Sequence, residues 1–307
     1  MKTVTEYKKT INRFTVIILL LATMPSVAMA QANKLEARIS EMLKSTPAEV
    51  GVAVITSDGD TVKINNHTEY PLMSVMKFHQ AIAVAEHIAH QSGNIDDVIN
   101  ISENDLKPDT WSPMRDNNPH MRQTTIGKLL EYTLQQSDNN ACDIMFKNIV
   151  SPTETDSIIR SWGISNCKIS ATEEEMHRNR EKVNDNSATP LSCVKLLDEF
   201  YRRRNTTAQL KYIWQTMANC KTGADRLPHP LPNNITTIIH KTGTGFTDKY
   251  GNPNGINDIG LIILPDGRHY SLAVLIKTSQ LNMENTSKII AEISDVVYKF
   301  HISTDNK

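Results

Sequence analysis

The strand-like stretches of this chain lie at its two ends, with a long helical block between them, and that order limits the available folds. Near the start, Glu49–Thr56 and Thr61–Asn65 are β-branched, alternating runs joined by a Ser-Asp-Gly-Asp turn. Near the end, Ile235–Thr244, Ile256–Leu264 and His269–Thr278 read the same way, the last two joined by Pro265-Asp266-Gly267. Between them, Ser74–His90, Thr125–Gln136, Asn139–Ile149, Glu154–Trp162, Pro190–Arg203 and Thr207–Asn219 carry apolar residues at three- and four-residue steps. Helical spacing also marks Lys34–Lys44 before the first strand and roughly 286–300 after the last. Two distant strand groups are most economically joined in one antiparallel sheet, because each needs partners for its backbone and a cover for its apolar face. The expectation is an α+β fold. One antiparallel sheet is built from both chain ends and covered by the terminal helices, and an all-helical subdomain is inserted between. The α/β lobe takes about 31–70 and 222–307, the helical lobe about 71–221, and a ligand is expected where the lobes meet.

The first 30 of the 307 residues are excluded from that domain. Lys2, Lys8, Lys9 and Arg13 precede an apolar run from Phe14 to Ala22, and Ala28-Met29-Ala30 has the small-x-small pattern of a signal-peptidase site. Cleavage after Ala30, with a secreted or periplasmic product, is the expectation. The apolar run is shorter than the ~20 residues a spanning helix needs, so no membrane association is expected after cleavage. A formal charge of −1 gives no electrostatic reason to expect nucleic acid. Export favours disulfides, yet Cys142, Cys167, Cys193 and Cys220 are widely spaced in segments that read as helix or buried strand, so free thiols are expected. The sequence has no CxxC, no HExxH and no His pair at metal spacing, so neither metal nor cofactor is expected.

Ser-x-x-Lys occurs three times, at Ser74/Lys77, Ser165/Lys168 and Ser192/Lys195, and about one occurrence is expected by chance. Ser74 opens a long apolar helix, which places Lys77 on the same face one turn on and offers N–H groups and positive dipole character to an oxyanion. A plain N-cap is the competing role for Ser74. Ser165 and Ser192 read as surface features. Ser137-Asp138-Asn139 occurs once, between two helices, where a capping turn would look the same. Lys-Thr-Gly occurs twice. Lys221-Thr222-Gly223 reads as a helix C-terminal exit, whereas Lys241-Thr242-Gly243 ends a β-branched strand, where a Gly would let a substrate approach the edge backbone.

The order SxxK, SDN and late-strand KTG resembles the penicillin-recognising serine enzymes. Within them, Glu173 lies 36 positions beyond Ser137 in Ala171-Thr-Glu-Glu-Glu-Met-His177, the offset of the water-activating glutamate in class A β-lactamases. Glu174 and Glu175 compete for that assignment, which rests on spacing and on Met176 filling an apolar loop position. Pro71–His79, Asp109–Pro113, Gln136–Asn140, Cys220–Arg226 and His240–Thr244 resemble the cephalosporinase branch of class A, with its PER, VEB and CfxA-like enzymes.

The resemblance implies a β-lactam amide hydrolase acting on cephalosporins and penicillins, with Ser74 as nucleophile and Glu173 activating the deacylating water. Either Lys77 or Glu173 would take the serine proton, and Ser137 would pass a proton to the departing nitrogen. Asn139, Lys241, Thr242, Gly243 and Thr244 would line the substrate, and Trp111 would wall the mouth. Arg226 would serve the substrate carboxylate, unless it is a surface or helix-pairing arginine. His177 stands where most of the class has Asn, as a water-positioner or a plain loop histidine. The Arg that pins the loop elsewhere is absent, with Ala171 near its place, which implies a different loop course. A monomer is the family default. Cell-wall D-alanyl peptidases share the motif set without the glutamate, a β-lactam-binding sensor would normally carry spanning segments or an attached partner domain, and a metallo-hydrolase would lose activity with chelators.

Overall fold

The computed structural model describes residues 31–303; the expected leader, 1–30, lies outside the described residues. In chain order the elements are helix α1 (31–43), strands β1 (Ala48–Thr56), β2 (Thr61–Ile64) and β3 (Tyr70–Pro71), helix α2 (Met76–His90), strand β4 (Val98–Asn100), helix α3 (Pro113–Asn117), strand β5 (Gln123–Thr125) and helices α4 (Ile126–Gln135), α5 (Asn139–Asn148) and α6 (Pro152–Ser161). There follow β6 (Cys167–Lys168), α7 (Glu173–Arg178), β7 (Ser187–Ala188), α8 (Pro190–Arg203), α9 (Ala208–Met217), β8 (Thr237–Thr244), β9 (Asn254–Ile263), β10 (His269–Ser279) and α10 (Met283–Ser303).

Five strands form one sheet in the order β2-β1-β10-β9-β8, antiparallel throughout. The seam between the chain ends is β1 on β10, with Val52 opposite Val274 and Val54 opposite Leu272. The pleat gives this sheet two apolar faces. Ala53, Ile239, Ile259, Leu261, Ala273 and Leu275 point into a core shared with the inserted helices. Their neighbours Val52, Val54, Ile262, Leu272 and Val274 point the other way, into a second core closed by Leu35 and Ile39 of α1 and Ile290, Ile293 and Val297 of α10. The α+β architecture is therefore the expected one.

Helix starts are written locally. Thr125, Asp138, Thr189 and Thr207 each accept a backbone N–H three residues on, and Ser151 with Glu154 and Thr172 with Glu175 form reciprocal capping boxes. Helix α2 is buried along nearly its whole length between the other helices and the sheet. Two minor sheets, β3-β7-β6 and β4-β5, close the connections. Among the described residues no helix is long and apolar enough to cross a membrane, and all four cysteines are free. Two local readings need correcting. Ser192 is buried, its hydroxyl donating to Asn166 O at 2.9 Å, so it pins α8 internally. Lys221-Thr222-Gly223 is not a helix cap: α9 ends at Met217, and Lys221 donates its N–H to Gln135 O at 2.9 Å.

Candidate active site

Ser74 sits in a single 3-10 turn, Met73–Val75, that leads directly into α2. Met73 before it has φ of 49°, a left-handed conformation that a non-glycine residue adopts only when its surroundings enforce it. The surroundings are the sheet edge: Met73 packs onto Gly245 and Gly255, and Asn257 of β9 donates to Pro71 O at 2.8 Å and Leu72 O at 3.1 Å. A Cβ on Gly243 would stand 2.5 Å from Leu72 O. That glycine is therefore required by the nucleophile segment itself pressing against β8.

Lys77 is fully buried one turn beyond Ser74. Its ammonium lies 3.1 Å from Ser74 Oγ, 2.9 Å from Glu173 Oε1, 2.6 Å from Asn139 Oδ1 and 2.8 Å from Ser137 O. Ser74 Oγ in turn donates to Glu173 Oε1 at 3.4 Å. Ser137, with φ of 59°, accepts at Oγ from Lys241 Nζ at 3.0 Å. Four segments distant in sequence thus meet around two ammonium groups. Burial first, and then the Lys77 ammonium, push the Lys241 pKa down to about 7.

The tripeptide around Ser137 is held by Asp138, whose buried carboxylate accepts from Ser112 Oγ, Met114 N and Ala141 N. The same contacts fix the segment carrying Trp111, which donates Nε1–H to Gln136 O at 2.9 Å while its ring stays 61% exposed at the cleft mouth. Asn139 reaches across to Thr110 Oγ1 at 2.8 Å.

Of the three consecutive glutamates, only Glu173 faces Ser74 and Lys77. Glu174 pairs with Lys107 and Arg178, and Glu175 caps α7 and pairs with Lys182. Met176 is buried beneath the loop. The loop, with Ala171 in place of a pinning arginine, has other anchors, which the sequence alone did not disclose. Asp143 of α5 accepts from Glu173 N at 2.8 Å and Glu174 N at 2.7 Å. Asn186 accepts from Ser170 N and Ala171 N and donates to Ala171 O at 2.9 Å. Asp143 is an ordinary helix residue in sequence; only the fold reveals that it faces the start of α7. Burial, and the nearby Glu173 carboxylate, raise its pKa to about 7 against the pull of the two N–H donors.

His177 lines the cleft half-exposed, 3.5 Å from Asp109 Oδ2. Arg226 is neither a surface nor a helix-pairing residue. It is buried beside the sheet edge, donating to Gly243 O and Asn257 O at 2.9 Å each and to Thr244 Oγ1 at 2.7 Å. Thr242 Oγ1 lies 2.7 Å from Thr222 Oγ1, so the two Lys-Thr-Gly copies touch. The cleft encloses about 280 Å³ between Met73, Ser74, Trp111, Asn139, Glu173 and Thr244. Among the described residues no His, Cys, Asp and Glu grouping could hold a metal ion.

Comparison with known proteins bears on what this cleft does. The sequence matches the Beta-lactamase enzyme family over residues 34–301. The chain belongs to that family. A β-lactamase of Phocaeicola vulgatus is 38% identical over 93% of this chain and 90% of its own length. The VEB-1 β-lactamase of Pseudomonas aeruginosa is 34% identical over 96% and 99%. The crystal structure of the TLA-1 extended-spectrum β-lactamase superposes with a TM-score of 0.85 at 35% identity, over 88% of this chain and 99% of that one. The protein is thus a β-lactam hydrolase on the class A serine branch that its sequence resembles.

Proposed function

We propose that this β-lactamase hydrolyses cephalosporins and penicillins through an acyl-enzyme on Ser74. The reading rests on one observation above the others: Glu173 Oε1 lies within reach of both Ser74 Oγ, at 3.4 Å, and Lys77 Nζ, at 2.9 Å. A nucleophile flanked by a carboxylate and by a lysine that accepts a proton in its neutral amine form can be deprotonated for attack, and the carboxylate remains to act on water afterwards.

Substrate enters between Trp111 and β8, its carboxylate toward Ser137, Lys241, Thr242 and Thr244. Ser74 Oγ bonds to the lactam carbonyl carbon, its proton passing to Lys77 or, through a water, to Glu173. The carbonyl oxygen takes the negative charge against backbone N–H groups of Ser74 and Thr244. As the C–N bond breaks, the ring nitrogen receives a proton from Ser137, which Lys77 and Lys241 bracket at 3.5 and 3.0 Å. Asn139 orients the substrate's side-chain amide. Glu173 then removes a proton from water, the water oxygen bonds to the ester carbonyl, and Ser74 leaves with a proton restored. His177 borders the space in which that water must stand. Arg226 acts on the carboxylate at one remove, by orienting the Thr244 hydroxyl. The same reading has residues 1–30 removed on export and the mature chain acting as a periplasmic or secreted monomer.

The test is rapid-quench mass spectrometry of the mature protein with a cephalosporin, alongside absorbance of ring opening. Wild-type protein should open the ring with little accumulated adduct. Glu173→Gln should form the Ser74 adduct and release it more slowly by a factor of roughly 10²–10⁴, the usual worth of a general base. Normal turnover in Glu173→Gln would remove Glu173 from the mechanism. A stable wild-type adduct would instead mark a peptidase or sensor.

A further inference from the structure

The face of β8 opposite Lys241 gathers, besides Thr242, a second group of side chains, His240, Asp258 and Cys220, that the hydrolysis does not use. His240 and Thr242 share that face, and Asp258 stands opposite Thr242 on β9. His240 Nδ1 lies 3.1 Å from each Asp258 oxygen, and both side chains are buried. Gly260, opposite His240, makes the room: a Cβ there would sit 2.9 Å from His240 Cβ. Cys220, which follows α9 and is partly exposed, unlike the other three cysteines, lies within range of the charge and hydrogen-bonding capacity of this imidazole. Cys220, His240 and Asp258 thus form a thiol–imidazole–carboxylate relay, the arrangement that activates a sulfur nucleophile.

We propose that Cys220 is a reactive thiolate that small soft electrophiles modify in the folded protein, and that a group placed on its sulfur perturbs the β-lactam cleft through Thr222 and Thr242. The charged and titratable groups facing the sulfur support the first half. Burial works against ionisation, but the His240 hydrogen bond and charge, the Lys241 ammonium and the Thr222 hydroxyl together bring the Cys220 pKa down to about 7. Asp258 stabilises the His240 cation, whose pKa rises to about 10 despite its burial. In contrast, burial raises the pKa of Cys142, Cys167 and Cys193, which leaves them inert. The second half follows from contact and rests on the substrate-binding reading above. Cys220 Sγ lies 3.5 Å from Thr222 Oγ1, which lies 2.7 Å from Thr242 Oγ1 on the strand that presents Lys241. An added substituent has to push Thr222 off Thr242.

Iodoacetamide is the probe: the thiolate sulfur bonds to its methylene carbon and iodide leaves with the C–I electron pair. At neutral pH the native protein should gain one adduct, mapped to Cys220, with the other three cysteines unmodified until denaturation. The rate should be half-maximal near pH 7, about 1.5 units below an ordinary thiol. In Asp258→Asn the midpoint should move up, because the imidazolium loses its carboxylate. Should that variant not fold, the wild-type profile decides alone. Cephalosporin ring opening should fall in step with adduct formation, while iodoacetamide should leave Cys220→Ser at its own untreated rate. An unmodified Cys220 when a free-thiol peptide has fully reacted, or an ordinary-thiol midpoint, would overturn the thiolate. Full modification with undiminished ring opening would overturn the coupling and leave the hydrolytic assignment untouched.

Discussion

Two buried ammonium groups bracket Ser137, and the consequences of placing them so close fall unequally. Lys77 is surrounded by oxygens, including the Glu173 carboxylate. Lys241 has Ser137 Oγ and Thr242 O, and its burial and the Lys77 charge bring its pKa to about 7. On the proposed binding mode, the protonated Lys241 of the free enzyme attracts a substrate carboxylate and the neutral one does not. Since kcat/KM reports free-enzyme ionisations, its value for an anionic cephalosporin should fall as pH rises through about 7. Lys241→Arg, which stays charged, should move that alkaline limb upward. A profile flat from about pH 6 to 8.5 would contradict the depressed lysine, and a limb unmoved in Lys241→Arg would belong to another group.

At the level of elements, the start of α7 is fixed from α5 rather than from within its own loop. Asp143 accepts two consecutive N–H groups, so Glu173 is aimed by a helix that also carries Asn139. Asp143→Ala would leave two inward N–H groups without acceptors, each costing about 1–3 kcal/mol, and would let Glu173 drift from the position at which we propose it activates water. Deacylation should fall by a factor on the order of 10–100, as small misplacements of catalytic groups do, with acylation less affected. Accumulated acyl-enzyme in a mass spectrum would report this, and unchanged turnover would show that the capping box at Thr172 suffices. These contacts also mark what was legible in the sequence. SxxK, SDN and KTG are local patterns at element ends, and α2, α5 and β8 were visible from periodicity, so the gathering of Ser74, Lys77, Ser137 and Lys241 could be anticipated. Asp143, Asn186 and Asn257 act through long-range hydrogen bonds from one side chain to backbone, which leave no periodic trace. Arg226 had the same difficulty: its carbonyl partners on β8 and β9 exist only once the sheet has formed. The two-residue strands β3, β6 and β7 escaped because two residues carry no alternation.

The whole molecule has two cores separated by one sheet, and this determines how its stability relates to its activity. The first core takes in the sheet's inner face together with α2, α4, α5 and α8, so the helical lobe has no apolar interior independent of the strands. The cleft lies along that shared boundary, with Ser74 in the turn that leads into α2, Ser137 between α4 and α5, and Lys241 on β8. The second core, between the sheet and α1 and α10, touches none of them directly. Leu261 and Leu272 are both fully buried, on opposite faces of adjacent strands. Truncating either to Ala should cost about 2–5 kcal/mol, a fall of roughly 4–9 °C in Tm for a domain of this size. The two should differ in kind. Leu261→Ala opens space beneath the helices that aim the catalytic groups, and should lower kcat at temperatures where the protein is still folded. Leu272→Ala should lose stability with kcat preserved. Unfolding should remain a single transition in both, with near- and far-ultraviolet dichroism changing together, because no part of the helical lobe can keep its core once the sheet is lost. Helix that outlasts the loss of tertiary packing in Leu261→Ala would mean that the inserted helices support themselves. The close approach of Leu72 to Gly243 would then have to bring together two preformed bodies.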